Sequence, residues 1–288
     1  MQIETGTDEL LCEIRERVAT VTLNRPHKKN SLSDQLTPAL RQLLLTLEAE
    51  PDVGCVMLTG AGDAFCSGGD VGGMGGGGRA GEGAQTTAGA SAATADRRAP
   101  SLDDRVADLI RRQESLTLRL YELLKPTLAA LPGPAAGAGL SIALACDLRV
   151  ARADAFIVTA FAQIGLSGDY GASWFLNRLL GQGKTKELMF LSERIGADEC
   201  ARLGLVNAVF ARETFRDEAF AYAKRIADGP TMALSRMKRN INRGAMQGLR
   251  ESLALEAEHM VMSFTSEEAR ERIRAFGNKS RTTKEDAG

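Results

Sequence analysis

Residues 126–151 read PTLAALPGPAAGAGLSIALACDLRVA. The apolar run Thr127–Leu131 is short and continuous, which suits a strand buried on both faces. Pro132, Gly133 and Pro134 then break the chain. Small residues run into an apolar segment too short and too uniformly apolar for an amphipathic surface helix. A second apolar run begins at Leu148. The reading is strand, turn, short buried helix, strand, and it places the chain in the α/β class.

The same alternation extends outward. VATVTLN, 18–24, has the β-branched content of a strand, and the segment 10–24 is expected to be strand throughout. From about Asp34, Leu36, Leu40, Leu43, Leu44 and Leu47 repeat with helical spacing, and Ser33 is placed to cap that helix. CVMLTG, 55–60, is another buried strand, and AFIVTAF, 155–161, a further short one. Residues 101–125 predict an amphipathic helix. Between them, 71–100 is dominated by Gly and Ala with almost no large apolar side chain, so it is expected to be a flexible insertion that joins no core. From about 183 the pattern is helical: 183–191, 196–206, a connection NAVF, then 214–227, 230–245 and 248–276. The expected organisation is an α/β core over 1–200 and a helical region over 201–288.

Composition narrows the function. The 288 residues carry a net charge of -1, so no polyanionic partner such as nucleic acid is implied. Five scattered cysteines with no C-x-x-C pair suggest neither a disulfide framework nor a metal site, and fit a reducing compartment. The N-terminus lacks the order of a signal peptide, and no apolar run is long enough to span a bilayer. A cytoplasmic protein without a membrane partner is expected.

Three stretches could carry chemistry. In FCSGGD, 65–70, Gly68 and Gly69 allow a ligand to approach the main chain closely. In GPAAGAGLSIALACD, 133–147, small residues enter a helix start whose free N–H groups favour negative charge. In LSGDYGASW, 166–174, Asp169 lies in a glycine-rich turn before an apolar helix. Read locally, Asp169 is first an N-cap and only second a catalytic acid. Each of the other two reads equally as a tight turn or as close strand–helix packing.

Together these stretches resemble the crotonase (enoyl-CoA hydratase/isomerase) superfamily over nearly the whole chain. VTLNRPHKKNSLS is similar to its N-R-P-x-x-x-N-A-L segment and LTGAGDAFCSGGD to its first oxyanion loop. GPAAGAGLSIALACDLRVA is similar to its second oxyanion loop, and the block from Ile164 to Phe210 to its G-x-x-P-x-x-G-G…A-x-x-L-G-L-V segment. The resemblance implies a spiral of ββα units with a helical C-terminal trimerisation region, as a homotrimer or a dimer of trimers. It implies an acyl-CoA thioester as substrate, with coenzyme A part of that substrate and no other cofactor. The thioester oxygen would be held by the backbone N–H groups of Gly69 and Ala138, and CoA would be met by Arg25, Lys28 and Lys29.

The chain departs from the hydratase pattern at two positions. The two glutamates that handle water fall at Ser141 and Phe161. Relatives lacking them carry a working acid in the glycine-rich turn, which makes Asp169 the expected acid/base. One carboxylate with an oxyanion hole suffices to move a double bond. Isomerisation is therefore expected. Thioester hydrolysis, hydration and a non-catalytic acyl-CoA-binding trimer remain as alternatives. His27 and His259 are the only histidines, and no Ser–His–Asp triad is indicated.

Overall fold

The computed structural model describes residues 1–70 and 100–285, with side chains to residue 276. The expected insertion at 71–100 lies outside the described residues except for Pro100. Strands β1 (Gln2–Ile3), β2 (Leu10–Arg15) and β3 (Val18–Leu23) form an antiparallel meander. Helix α1 (Leu36–Ala49) follows. The N-cap position is Gln35 rather than the expected Ser33, which stands two residues earlier with its Oγ accepting from Leu36 N at 3.0 Å. All five predicted leucines of α1 are buried. Strand β4 (Cys55–Gly60) pairs parallel to β3.

After the undescribed segment comes α2 (Leu102–Gln113), started by a reciprocal Ser101–Asp104 capping box. A π turn over Glu114–Leu118 leads into α3 (Arg119–Glu122). The predicted helix 101–125 is thus interrupted by a wide turn, as found where helices serve a site.

The opening stretch folds as β5 (Thr127–Leu131), β6 (Ala135–Ala136), α4 (Ala138–Ala145) and β7 (Leu148–Arg152). Then come β8 (Phe156–Val158), α5 (Ala172–Leu191), β9 (Ile195–Gly196), α6 (Ala197–Arg202), β10 (Ala208–Phe210) and α7 (Phe215–Ala227). Helices α8 (Thr231–Gly244), α9 (Leu249–Phe264) and α10 (Glu267–Glu285) complete the chain. The expected helix over 248–276 breaks after Phe264.

Two sheets result. The larger has the order β1-β2-β3-β4-β5-β7-β10, parallel from β3 onward, and the smaller β6-β8-β9. Twice the chain sends one strand to the large sheet, the next to the small sheet, and then forms a helix: β5-β6-α4 and β7-β8-α5. This is the predicted two-strands-then-helix unit.

The large sheet is covered on both faces, which explains its unbroken apolar strands. Val21, Leu23, Val56 and Leu58 face α1 and α4, whereas Val18, Met57, Leu128 and Val150 face Phe215, Ala219 and Ala223 of α7.

NAVF corrects one expectation. Ala208–Phe210 is a strand, not a connection, because Val150–Arg152 offers it a parallel partner that local sequence does not display. The boundary expected at residue 200 falls within α6, and β10 and α7, which lie beyond it, pack with the large sheet. Helices α8–α10 are held to it by buried Lys238 of α8. Its Nζ lies 2.9 Å from Asp147 Oδ2, and Asp147 also accepts from Thr127 N at 2.7 Å. Among the described residues no helix is long and apolar enough to cross a membrane.

Candidate active site

The two glycine-rich loops meet at the ends of parallel strands. Phe65 N donates to Pro134 O at 3.0 Å, and Ala136 N to Cys66 O at 2.9 Å. Gly68 explains the closeness. It has φ +93°, and a Cβ there would stand 3.0 Å from Ala136 O and 3.4 Å from Ala138 N. Any side chain would both strain the backbone and wedge the loops apart. Gly69 follows at once, and Ala138 is the first residue of α4. Among the described residues, neither N–H donates a backbone hydrogen bond. Among the described residues both donors are open, and Gly68 lets the first loop approach the second at Ala138 N. Such a pair can hold a developing oxyanion.

The first loop is braced from behind. Asn30, fully buried, donates through Nδ2 to Ala61 O at 2.9 Å and Ala64 O at 2.8 Å, and accepts from Arg25 N at 2.9 Å. Arg25 departs from its expected place against CoA. Its side chain turns inward to Glu9 (3.0 Å), Ser31 O (2.7 Å) and Asp70 (3.4 Å), because a buried guanidinium needs fixed acceptors. Asp70 is taken up by that contact. Lys28 and Lys29 stay exposed, and their carbonyls accept from Ser67 Oγ (3.3 Å) and Ser67 N (3.0 Å), so both stand beside the first loop.

Asp169 does not cap α5. The helix begins at Ala172 with Gly171 as N-cap, and no side chain bonds that end. Only the Asp169 carbonyl takes part, accepting from Ala172 N at 3.2 Å. The carboxylate is half-buried, and its Oδ1 is closed off from solvent without a hydrogen-bond partner. Burial pushes its pKa above the ordinary carboxylate value. A carboxylate that does not cap its helix and pairs with no side chain among the described residues is suited to taking and returning a proton.

Two contacts bring the Asp169 turn to the second glycine-rich loop and α4. Ser141, one turn along α4 from Ala138, reaches Asp169 O at 3.0 Å. The Phe161 ring lies 3.8 Å from the Cβ position of Gly137 and 3.5 Å from that of Gly168. Phe161 thus bridges the second glycine-rich loop and the Asp169 turn. Ser141 is fully buried, with its hydroxyl proton engaged by Gly137 O and Asp169 O. Neither position offers a base for water. The thiol of Cys66, packed under Gly139, is pushed up to about 12 by burial and stays protonated.

Sequence reading missed Gln113. Its Oε1 accepts from Tyr170 N at 2.6 Å, although it lies 57 residues away on a different helix. On an exposed amphipathic helix it reads as one more polar residue. Tyr170, the residue after the acid, turns its ring into the main core.

Comparison with known proteins completes the picture. A family model described as enoyl-CoA hydratase/isomerase matches residues 13–97 and 87–286. The 1,2-epoxyphenylacetyl-CoA isomerase of Escherichia coli is 31% identical over 267 residues, covering 93% of this chain and 94% of that protein. The 4-chlorobenzoyl coenzyme A dehalogenase-1 of an Arthrobacter species is 30% identical over 267 residues, covering 93% of this chain and 90% of its own length. The crystal structure of an enoyl-CoA hydratase from Polaromonas sp. JS666 superposes with a TM-score of 0.81 at 31% identity, covering 94% of this chain and 97% of that one.

Proposed function

The chain belongs to the enoyl-CoA hydratase/isomerase family and processes acyl-CoA thioesters; from that premise we propose that it is an isomerase, with Asp169 as its single acid/base. Asp169 removes a proton from C2 of a 3-enoyl-CoA. The electron pair moves onto the thioester oxygen, which the N–H groups of Gly69 and Ala138 stabilise. The same proton returns at C4, leaving a C2–C3 double bond and no net change in composition. Lys28 and Lys29 meet the CoA phosphates at the mouth of the site. Arg25 is left out, since its guanidinium is spent inside.

The observation that carries this reading is the Oδ1 of Asp169, buried without a partner among the described residues in a turn whose backbone is bonded to Ser141 of α4, with Ser141 engaged and Phe161 apolar. Hydration needs a group that activates water, and the two positions expected to supply one cannot. Crotonyl-CoA should therefore be hydrated far below the usual enzyme range of about 1–1000 per second. The test incubates the protein with 3-enoyl-, 2-enoyl- and aromatic acyl-CoAs and resolves isomer, hydrate and free CoA by mass. Hydration within that range would overturn the isomerase reading.

A second reading is favoured by the same oxygen. An unpaired carboxylate can attack as a nucleophile, and one relative is named a dehalogenase. Single turnover in H₂¹⁸O separates the two: a nucleophilic Asp169 acquires label, whereas a proton shuttle does not.

We also propose assembly through the C-terminal helices, as a trimer or a pair of trimers. Ile241, Leu249, Val261 and Phe264 stand exposed there, more apolar surface than isolated helices usually leave in water. Light scattering should give three or six times the 30.8 kDa chain mass. A monomer at working concentration would refute this.

A further inference from the structure

Resting on Asp169 as the acid/base, we propose that Ser141 and Gln113 are positioning residues that lock the Asp169–Tyr170 peptide and thereby aim the carboxylate. The peptide is held at both ends by side chains from different elements. Its carbonyl, on Asp169, accepts from Ser141 Oγ of α4 at 3.0 Å. Its N–H, on Tyr170, donates to Gln113 Oε1 of α2 at 2.6 Å.

The lock has work to do. Tyr170 has φ +51°, a left-handed conformation that a non-glycine residue adopts at a cost. Gly168 and Gly171 on either side are also at positive φ, so the turn has little stiffness of its own. The Asp169 side chain has no hydrogen bond at Oδ1 to fix it. Its direction is then inherited from the backbone. Ser141 couples that backbone to the same helix whose first N–H, at Ala138, belongs to the oxyanion pair. One rigid helix thus sets the acid and one oxyanion donor in a common frame. Reactive groups displaced by about 1 Å can lose on the order of 100-fold in rate.

Three changes test this. Ser141→Ala removes the hydroxyl but leaves Asp169 O its bond from Ala172 N. Gln113→Met removes the acceptor at nearly constant shape, and Gln113→Glu restores an acceptor. Ser141→Ala and Gln113→Met should each lower kcat by roughly 10- to 100-fold, with KM and melting temperature little changed. Gln113→Glu should recover most of the loss, which a merely space-filling role would not predict. In an Asp169→Asn background, Ser141→Ala should cost nothing further.

Wild-type kcat in both Ser141→Ala and Gln113→Met, with Asp169→Asn inactive, would overturn the positioning role and leave the acid/base reading standing. An undiminished rate in Asp169→Asn alone would instead overturn the acid/base reading. A loss in Gln113→Met that Gln113→Glu does not relieve counts against the lock.

Discussion

Asp169→Asn should cut isomer formation at saturating substrate by roughly 100- to 10,000-fold, the usual worth of a positioned general acid/base. Asn keeps the shape but cannot take a proton. No cap is lost, because the Asp169 side chain makes no bond to the start of α5. Binding of a saturated acyl-CoA, which has no double bond to move, should persist, since the N–H groups of Gly69 and Ala138 are untouched. Stability should move the other way from rate. Burial raises the Asp169 pKa, so the folded chain keeps this proton to higher pH than the unfolded chain does. Wild-type stability is then lost as pH rises from the ordinary carboxylate value, about 3.9, through the raised folded value. The Asn variant lacks that loss. Without ligand it should melt above wild type at neutral pH, and the gap should close below about pH 4. A variant that melts below wild type at pH 7, or turns over at the wild-type rate, contradicts this account.

Ala138→Pro should be nearly as damaging, by a different route. It deletes one oxyanion donor, and loss of one such donor typically costs about 100- to 1,000-fold in kcat. Proline is the informative replacement because Ala138 is the first residue of α4, where its N–H has no partner within the helix and proline is well accepted. The melting temperature should therefore stay near that of wild type while kcat collapses. Ala138→Gly, which keeps the N–H, should remain active. Equal rates for the Pro and Gly variants would remove Ala138 N–H from the mechanism. Melting curves for both variants separate a failed fold from a failed site.

The contrast between Ala138 and Asp169 shows where sequence sufficed. A backbone donor needs only a helix start after small residues, and that pattern lies within Gly137–Ser141. The leucines of α1 and the apolar runs of β4 and β5 were equally legible, because their burial follows from a period or from a continuous stretch. Asp169 was not. Next to a helix, an acid can be a cap or a catalyst, and only the placement of Gly171 as N-cap removes the first reading. Arg25 misled for a related reason: a cation among lysines looks solvated until Glu9, Ser31 and Asp70 are seen around it.

By itself, then, the amino-acid sequence determined the α/β class, the two glycine-rich loops, the non-acidic residues at Ser141 and Phe161, and the family. All of these are carried by short contiguous patterns. Tertiary structure alone decided that β10 joins the sheet, that Arg25 is turned to bracing, that the Asp169 side chain does not cap α5, and that Gln113 holds the next peptide. Each of those depends on groups brought together across long separations, 57 residues in the case of Gln113 and Tyr170. A side chain's protonation, pairing and direction are set by its neighbours in space, and local sequence does not name them.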